Sequence, residues 1–154
     1  MSDDQLVVGS ALGGGLEYER LASVLDAWDA LVDGWRAAAE AASGEDISLQ
    51  AQLLNKLATV ELEYLGRAED ARATYERLLG LDPDNAEIGG PAARALARLY
   101  EEAGLFEPLI EVLTRLVDWS ADGEERERLH SRIAAVHESL GHTPQAIASY
   151  CAWL

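Results

Sequence analysis

The chain has a single cysteine, Cys151, among 154 residues. No internal disulfide can form, and no multi-cysteine metal site can be built. Positive charge is scarce too. Twelve Lys and Arg face 28 Asp and Glu, for a net charge of −16. That balance opposes nucleic acid or an anionic membrane surface as a partner, since both hold proteins through positive charge. Lys56 is the only lysine; the other basic residues are arginines. No apolar run approaches the roughly 20 residues of a membrane span, so no membrane insertion is expected. Asp3 and Asp4 stand where a secretory leader carries positive charge, and a cytoplasmic location is the expectation. Runs of β-branched residues are missing, which leaves little to build a sheet from.

What is present points to helices. The hydrophobic fraction is 49% and the charged fraction 26%, ordinary for a globular chain. A chain of this length buries roughly 68–70% of its unfolded surface, enough for a true core. Ala, Leu, Glu and Arg dominate, all strong helix formers. The patterning predicts an all-α protein of eight helices, near 16–25, 27–42, 47–65, 68–80, 91–103, 106–118, 123–140 and 144–154. Pro91 fits a first-turn proline. Asp122, or the stretch 120–122, can cap the seventh helix, with Glu124 and Glu125 in its favourable first turn. "GEDIS" (44–48) and "NAEIGGP" (85–91) read as loops. Residues 1–15 read as a flexible N-terminal arm and 16–154 as one domain.

Sites for chemistry are weak. "VVGSALGGG" (7–15) has the glycines of a phosphate loop, but Leu16 and Glu17 follow where Lys and Ser or Thr are needed. His130 and His137 share a helix face seven residues apart, a long gap for joint metal ligation, so packing histidines are expected and no metal. Cys151 has no Cys-His-Asn pattern around it and reads as a buried or seam residue. The acidic pairs Glu61 and Glu63, Glu101 and Glu102, and Glu124 and Glu125 read as solvated faces or helix starts. No convergent pair for acid–base work emerges. The expectation is a chain with no catalytic residues and no cofactor.

Internal similarity accounts for most of the chain. Leu57–Ala58, Leu96–Ala97 and Ile133–Ala134 each precede a turn glycine, Gly66, Gly104 or Gly141, spaced 38 (104 − 66) and 37 (141 − 104) residues apart. A fourth, weaker copy lies at the start. "AWDALVDGW" parallels "LFEPLIEVL" 78 residues on, and "LLNKLA" parallels "LHSRIA" 76 residues on. The first and third units are therefore alike, as are the second and fourth.

The stretch "YLGRAEDARATYERLLGLDPDN" resembles the tetratricopeptide repeat, a helix–turn–helix unit of about 34 residues. Gly66 stands at the turn, Ala71 at the close helix contact, Tyr75 at the packing aromatic, and Pro83 closes the unit. The early aromatic of the first helix is missing from every copy, and Leu109 replaces the small residue in the unit around Gly104. The resemblance implies a right-handed α-solenoid of about four units, near 16–44, 45–86, 87–121 and 122–154, of bacterial type. It also implies a non-enzymatic scaffold that binds a partner peptide or helix in a concave groove lined by first helices.

Carried onto this chain, the groove positions include Asn55 and Thr59 in the second unit, Arg94 and Arg98 in the third, and Arg128, Ser131 and Arg132 in the fourth. Arginine forks grip carboxylates bidentately. Some family members grip a chaperone's terminal carboxylate with a Lys/Arg–Asn clamp, but here Arg98 stands at the asparagine position and Asn55 at the basic one. The same arginines can instead pair with Glu101, Glu102, Glu125 and Glu127. The chain stops inside its fourth repeat, so Tyr150, Trp153 and Leu154 are expected at an open apolar edge. Such an edge implies a longer array, a docked molecule or a homo-oligomer formed through the last helix.

Overall fold

A computed structural model describes Glu17, Glu19, Arg20, residues 28–152 and Leu154. Among these residues there are seven α-helices and no strand. They are α1 (Trp28–Ala41), α2 (Ile47–Glu63), α3 (Ala68–Leu81), α4 (Ala86–Ala103), α5 (Phe106–Trp119), α6 (Gly123–Ser139) and α7 (Thr143–Cys151). The expected arm at 1–15, the phosphate-loop-like stretch 7–15, most of the expected helix at 16–25, and Trp153 lie outside the described residues. The chain divides into two compact units, Met1–Asp82 and Pro83–Leu154.

In the first unit, α2 packs against both α1 and α3. Asp46 starts α2, its carboxylate accepting from the Leu49 amide at 3.0 Å. A cap of this kind satisfies one of the orphan amides of a helix start. The buried residues are Leu31, Val32, Trp35 and Ala39 of α1, Leu53, Leu54, Leu57 and Ala58 of α2, and Ala71, Tyr75 and Leu78 of α3, with α2 packed between its two neighbours. Ala71 is fully buried, as a close helix contact requires.

Glu61 departs from the reading of a solvated face. Only 1% of it is exposed. It follows Leu54, Leu57 and Ala58 at helical spacing, on the buried stripe of α2, while Glu63 is exposed.

In the second unit, α5 packs against α4 and α6, and α6 against α7. Leu96, Leu109 and Leu113 are fully buried, a transfer worth roughly 1.5–3 kcal/mol for each side chain. Helix α4 begins five residues before its expected start at Pro91. Asn85 is the reason: its side chain accepts from the amides of Glu87 and Ile88, so the helix is capped there and Pro91 lies inside it. At the other end Gly104 takes φ 70°, the left-handed conformation that glycine adopts without strain, and Leu105 N–H closes onto Tyr100 O at 2.8 Å. Asp122 caps α6 as the sequence suggests, accepting from Glu125 N–H at 3.2 Å. Helix α7 ends at Cys151 rather than running on to 154, and it buries only Ala146. Cys151 is exposed, not buried, because it lies off the narrow buried stripe of that short helix.

Two sets of helices share their lengths. α1 and α5 have 14 residues each, with bounds 78 positions apart; α2 and α6 have 17 each, with bounds 76 apart. Both α2 and α6 start on a capping aspartate, Asp46 or Asp122.

Candidate interaction site

Helices α4 and α6 are joined by two ion pairs with the same offset. Arg94 Nη2 lies 3.3 Å from Glu125 Oε1, and Arg132 Nη2 lies 3.2 Å from Glu101 Oε2. Each partner is 31 positions away from the other. The two contacts are seven residues apart on each helix, so α4 and α6 run in the same direction, in register for two turns.

The other two arginines do not join this seam. Arg98 pairs within α4 with Glu102 at 3.9 Å, and Arg128 pairs within α6 with Glu124 at 3.3 Å. Glu124, not Glu127, is the partner of Arg128, since residues four apart share a helix face and adjacent ones do not. Ser131 is half-buried on the same helix. The four guanidinium groups thus form a row of separate exposed pairs, each worth about 0–1 kcal/mol. Asn55 and Thr59 belong to α2 in the other unit; Asn55 is exposed, and Thr59 Oγ1 donates to the Asn55 carbonyl at 2.8 Å.

Below Arg94 and Glu125 opens a groove of about 390 Å³, between the start of α4, the end of α5 and the start of α6. Gly90 forms part of its wall, with Trp119 and Ser120 opposite. A side chain at Gly90 would meet the Arg94 guanidinium at 3.4 Å. Ser120 Oγ donates to Glu125 Oε2 at 2.8 Å. That hydrogen bond, followed by the one from Arg94, holds the Glu125 carboxyl below its ordinary range. Glu125 is therefore an anion gripped from two sides. Ser120 escapes a repeat-based reading because it lies in the turn after α5, where the repeat pattern prescribes nothing.

A second polar cluster was hidden in the sequence. The buried Glu61 accepts from Arg36 Nη2 at 3.2 Å and from Thr74 Oγ1 at 2.7 Å. One helix of the first unit supplies each of the three residues. The clue lay in the internal alignment: Glu61 stands 76 positions before His137, on a helix of the same length.

At the far end of the second unit, Ile147, Tyr150 and Leu154 are exposed, Ile147 by 58% and Leu154 by 91%. The Tyr150 hydroxyl is pushed above its ordinary pKa, first by burial of its surroundings and then by the Glu138 carboxylate. His137 lies beside His142 with ring centroids 5.7 Å apart. Among the described residues, no group of three or more His, Cys, Asp or Glu is placed to hold a metal. None of the described helices is long and apolar enough to cross a membrane. No family model matches the chain, and no curated protein matches it.

Proposed function

We propose that the chain is a non-enzymatic, cytoplasmic protein-binding scaffold of tetratricopeptide type, whose helix pairs stack as a right-handed solenoid. Its partner is a peptide or helix held on the face formed by the first helices of each pair. The parallel register of α4 and α6, fixed by Arg94–Glu125 and Glu101–Arg132, carries this reading. Two parallel helices bridged by an antiparallel one are what a repeating helix pair produces. The face they share offers Arg94, Arg98, Arg128, Ser131 and Arg132, with Asn55 and Thr59 as the matching positions of the preceding unit. Exposed arginines held only by weak surface pairs exchange readily onto a partner's carboxylates. A carboxylate-bearing segment is therefore the partner class.

Panning a displayed peptide library on the full chain tests the reading. Enrichment of Asp- and Glu-containing peptides is expected, with at least a tenfold weaker affinity for the Arg94→Glu, Arg98→Glu double variant. Equal binding by that variant would overturn the groove.

The exposed Ile147, Tyr150 and Leu154 favour a second reading, a structural subunit that self-assembles through its last helix. Light scattering behind size exclusion separates the two. A mass that doubles with concentration, and returns to the monomer value in Ile147→Glu, supports self-assembly; a constant monomer mass supports the scaffold.

A further inference from the structure

The polar cluster of the first unit and a cavity of the second occupy matching places. Arg36 of α1 stands 78 positions before Thr114 of α5, the offset that relates the bounds of those helices. Glu61 of α2 stands 76 positions before His137 of α6, again the offset of the helix bounds. Thr74 of α3 stands 75 positions before Ser149 of α7, the offset between the starts of those helices. In the first unit the guanidinium and the hydroxyl each contact the carboxylate. In the second, Thr114, His137 and Ser149 line a single cavity of about 320 Å³ between α5, α6 and α7. Where the first unit has a long arginine, the second has a short threonine, and the space stays open.

The lining specifies what fits. Thr114 Oγ1 donates to the Ile110 carbonyl at 2.8 Å, and Ser149 Oγ donates to the Gln145 carbonyl at 2.9 Å. Both hydroxyl protons are thereby used, and what remains toward the cavity side of the chemistry is lone pairs. His137 Nδ1 is buried and has no hydrogen-bond partner. Asp118 adds a carboxylate and His130 a second imidazole to the lining, and no lysine or arginine is part of it. Val117 and Ile133 supply apolar wall. The cavity is thus rich in acceptors, negative and partly apolar, in a chain of net charge −16.

We propose that this cavity binds an alkylguanidinium group, which takes the part that Arg36 plays in the first unit. Its N–H groups donate to Asp118 and to the Thr114 and Ser149 oxygens, while its alkyl stem lies on Val117 and Ile133. The site lies on α5, α6 and α7, apart from the arginine face of α4 and α6. Its occupant is either a free guanidine compound or an arginine side chain of another protein.

Amide and imidazole NMR titrations of the full chain test the proposal. The probes are n-butylguanidinium, its neutral isostere n-butylurea, and a blocked Gly-Ala-Arg-Ala-Gly peptide. Saturable shifts at Thr114, His137 and Ser149 are expected with a guanidinium probe, and at least tenfold weaker binding with butylurea. Tighter binding of butylguanidinium than of the peptide identifies a free compound as the source; tighter binding of the peptide identifies a protein arginine. Asp118→Asn should weaken binding several-fold. Thr114→Arg places the first unit's own arginine at the exposed matching position, so it should abolish binding and raise the melting temperature. Ala148→Phe, at an exposed lining position, should block the cavity by bulk alone. Absence of saturable shifts with either guanidinium probe, equal affinity for butylurea, or undiminished binding by a folded Thr114→Arg chain would overturn the site.

Discussion

Arg36 Nη2 lies 3.2 Å from Oε1 of Glu61, a carboxylate only 1% exposed, while the arginine itself remains 45% exposed. The pair is asymmetric: the anion is committed to the interior and the cation keeps contact with water. Removing the cation should therefore cost more than neutralising the anion. Arg36→Ala leaves a buried charge with Thr74 as its remaining donor, and about 2 kcal/mol of stability should be lost, below the roughly 3–5 kcal/mol of a fully buried pair because water reaches Arg36. Glu61→Gln keeps the shape and the acceptor for Arg36, while its amide N–H must donate to the Thr74 hydroxyl, whose own proton goes to the Asp70 carbonyl, and it should cost about 1 kcal/mol. Urea denaturation of both variants checks the order. If Glu61→Gln proves the more damaging, the asymmetry is wrong.

Thr74 reports on the same cluster through a neutral contact. Its hydroxyl reaches Glu61 Oε2 at 2.7 Å and the Asp70 carbonyl at 3.0 Å. Thr74→Val keeps the shape and removes the donor, so about 1–2 kcal/mol should be lost. In the Arg36→Ala background the loss should grow, because Thr74 is then the main donor to the carboxylate. A double-mutant cycle with no coupling between the two positions would contradict a shared cluster.

The helical content was legible because it rests on local rules. The turns after α2, α4 and α6 follow from Gly66, Gly104 and Gly141, and the start of α6 from Asp122. The start of α4 was misread because two local signals conflict. Pro91 after two glycines reads as a break, but Asn85 offers a cap six residues earlier, and the tertiary contacts of Ala92, Ala93 and Leu96 hold the longer helix together. Glu61 was misread because charge was taken as exposure, although its spacing from Leu54, Leu57 and Ala58 places it inside. The groove arginines were legible as a row of positions, and Glu101, Glu102 and Glu125 as carboxylates that pair with them, but not which carboxylate each arginine takes. Which carboxylate each one reaches depends on side-chain distances between helices, and Ser120 enters from a turn that no periodicity describes.

The caps of α2 and α6 offer a matched pair of substitutions. Asp46 and Asp122 each accept from the amide three residues on, at 3.0 Å and 3.2 Å. Asp46→Ala and Asp122→Ala should each cost about 1 kcal/mol. The two residues share no partner, so the double variant should lose about the sum. Thermal and urea denaturation measure both effects, and a silent Asp122→Ala would contradict the cap.

Glu125 gives a pH signature. Ser120 and then Arg94 stabilise its ionised form, so its folded pKa lies below the ordinary carboxylate value. A depressed value means that the contribution to stability is complete above the unfolded pKa of about 4.3 and is lost as pH falls through the lower folded value. Ser120→Ala removes the largest single cause and Arg94→Met removes both a hydrogen bond and a coulombic attraction, so each should move the Glu125 titration up toward the ordinary range. Carbon-detected NMR of the Glu125 carboxyl follows both shifts. An unchanged midpoint in Ser120→Ala would show that the 2.8 Å hydrogen bond does not persist in solution.

Pro91 sits at the sixth position of α4 and is exposed. It has no N–H to give to the Glu87 carbonyl, and its ring crowds that oxygen, a combination that costs a helix interior about 3 kcal/mol relative to alanine. Only part of that is recoverable here, because Glu87 and Pro91 are both exposed, on the side of the helix that faces water. Pro91→Ala should therefore stabilise the chain by about 1 kcal/mol and raise the protection of first-turn amides of α4 against hydrogen exchange. Gly90→Ala is the contrasting control. Its new methyl group would stand 3.4 Å from the Arg94 guanidinium, at the wall of the groove, so any gain in helix propensity comes with pressure on the Arg94–Glu125 pair. A fall in the urea midpoint of Pro91→Ala would mean that the proline's rigidity, rather than the Asn85 cap, holds the first turns of α4.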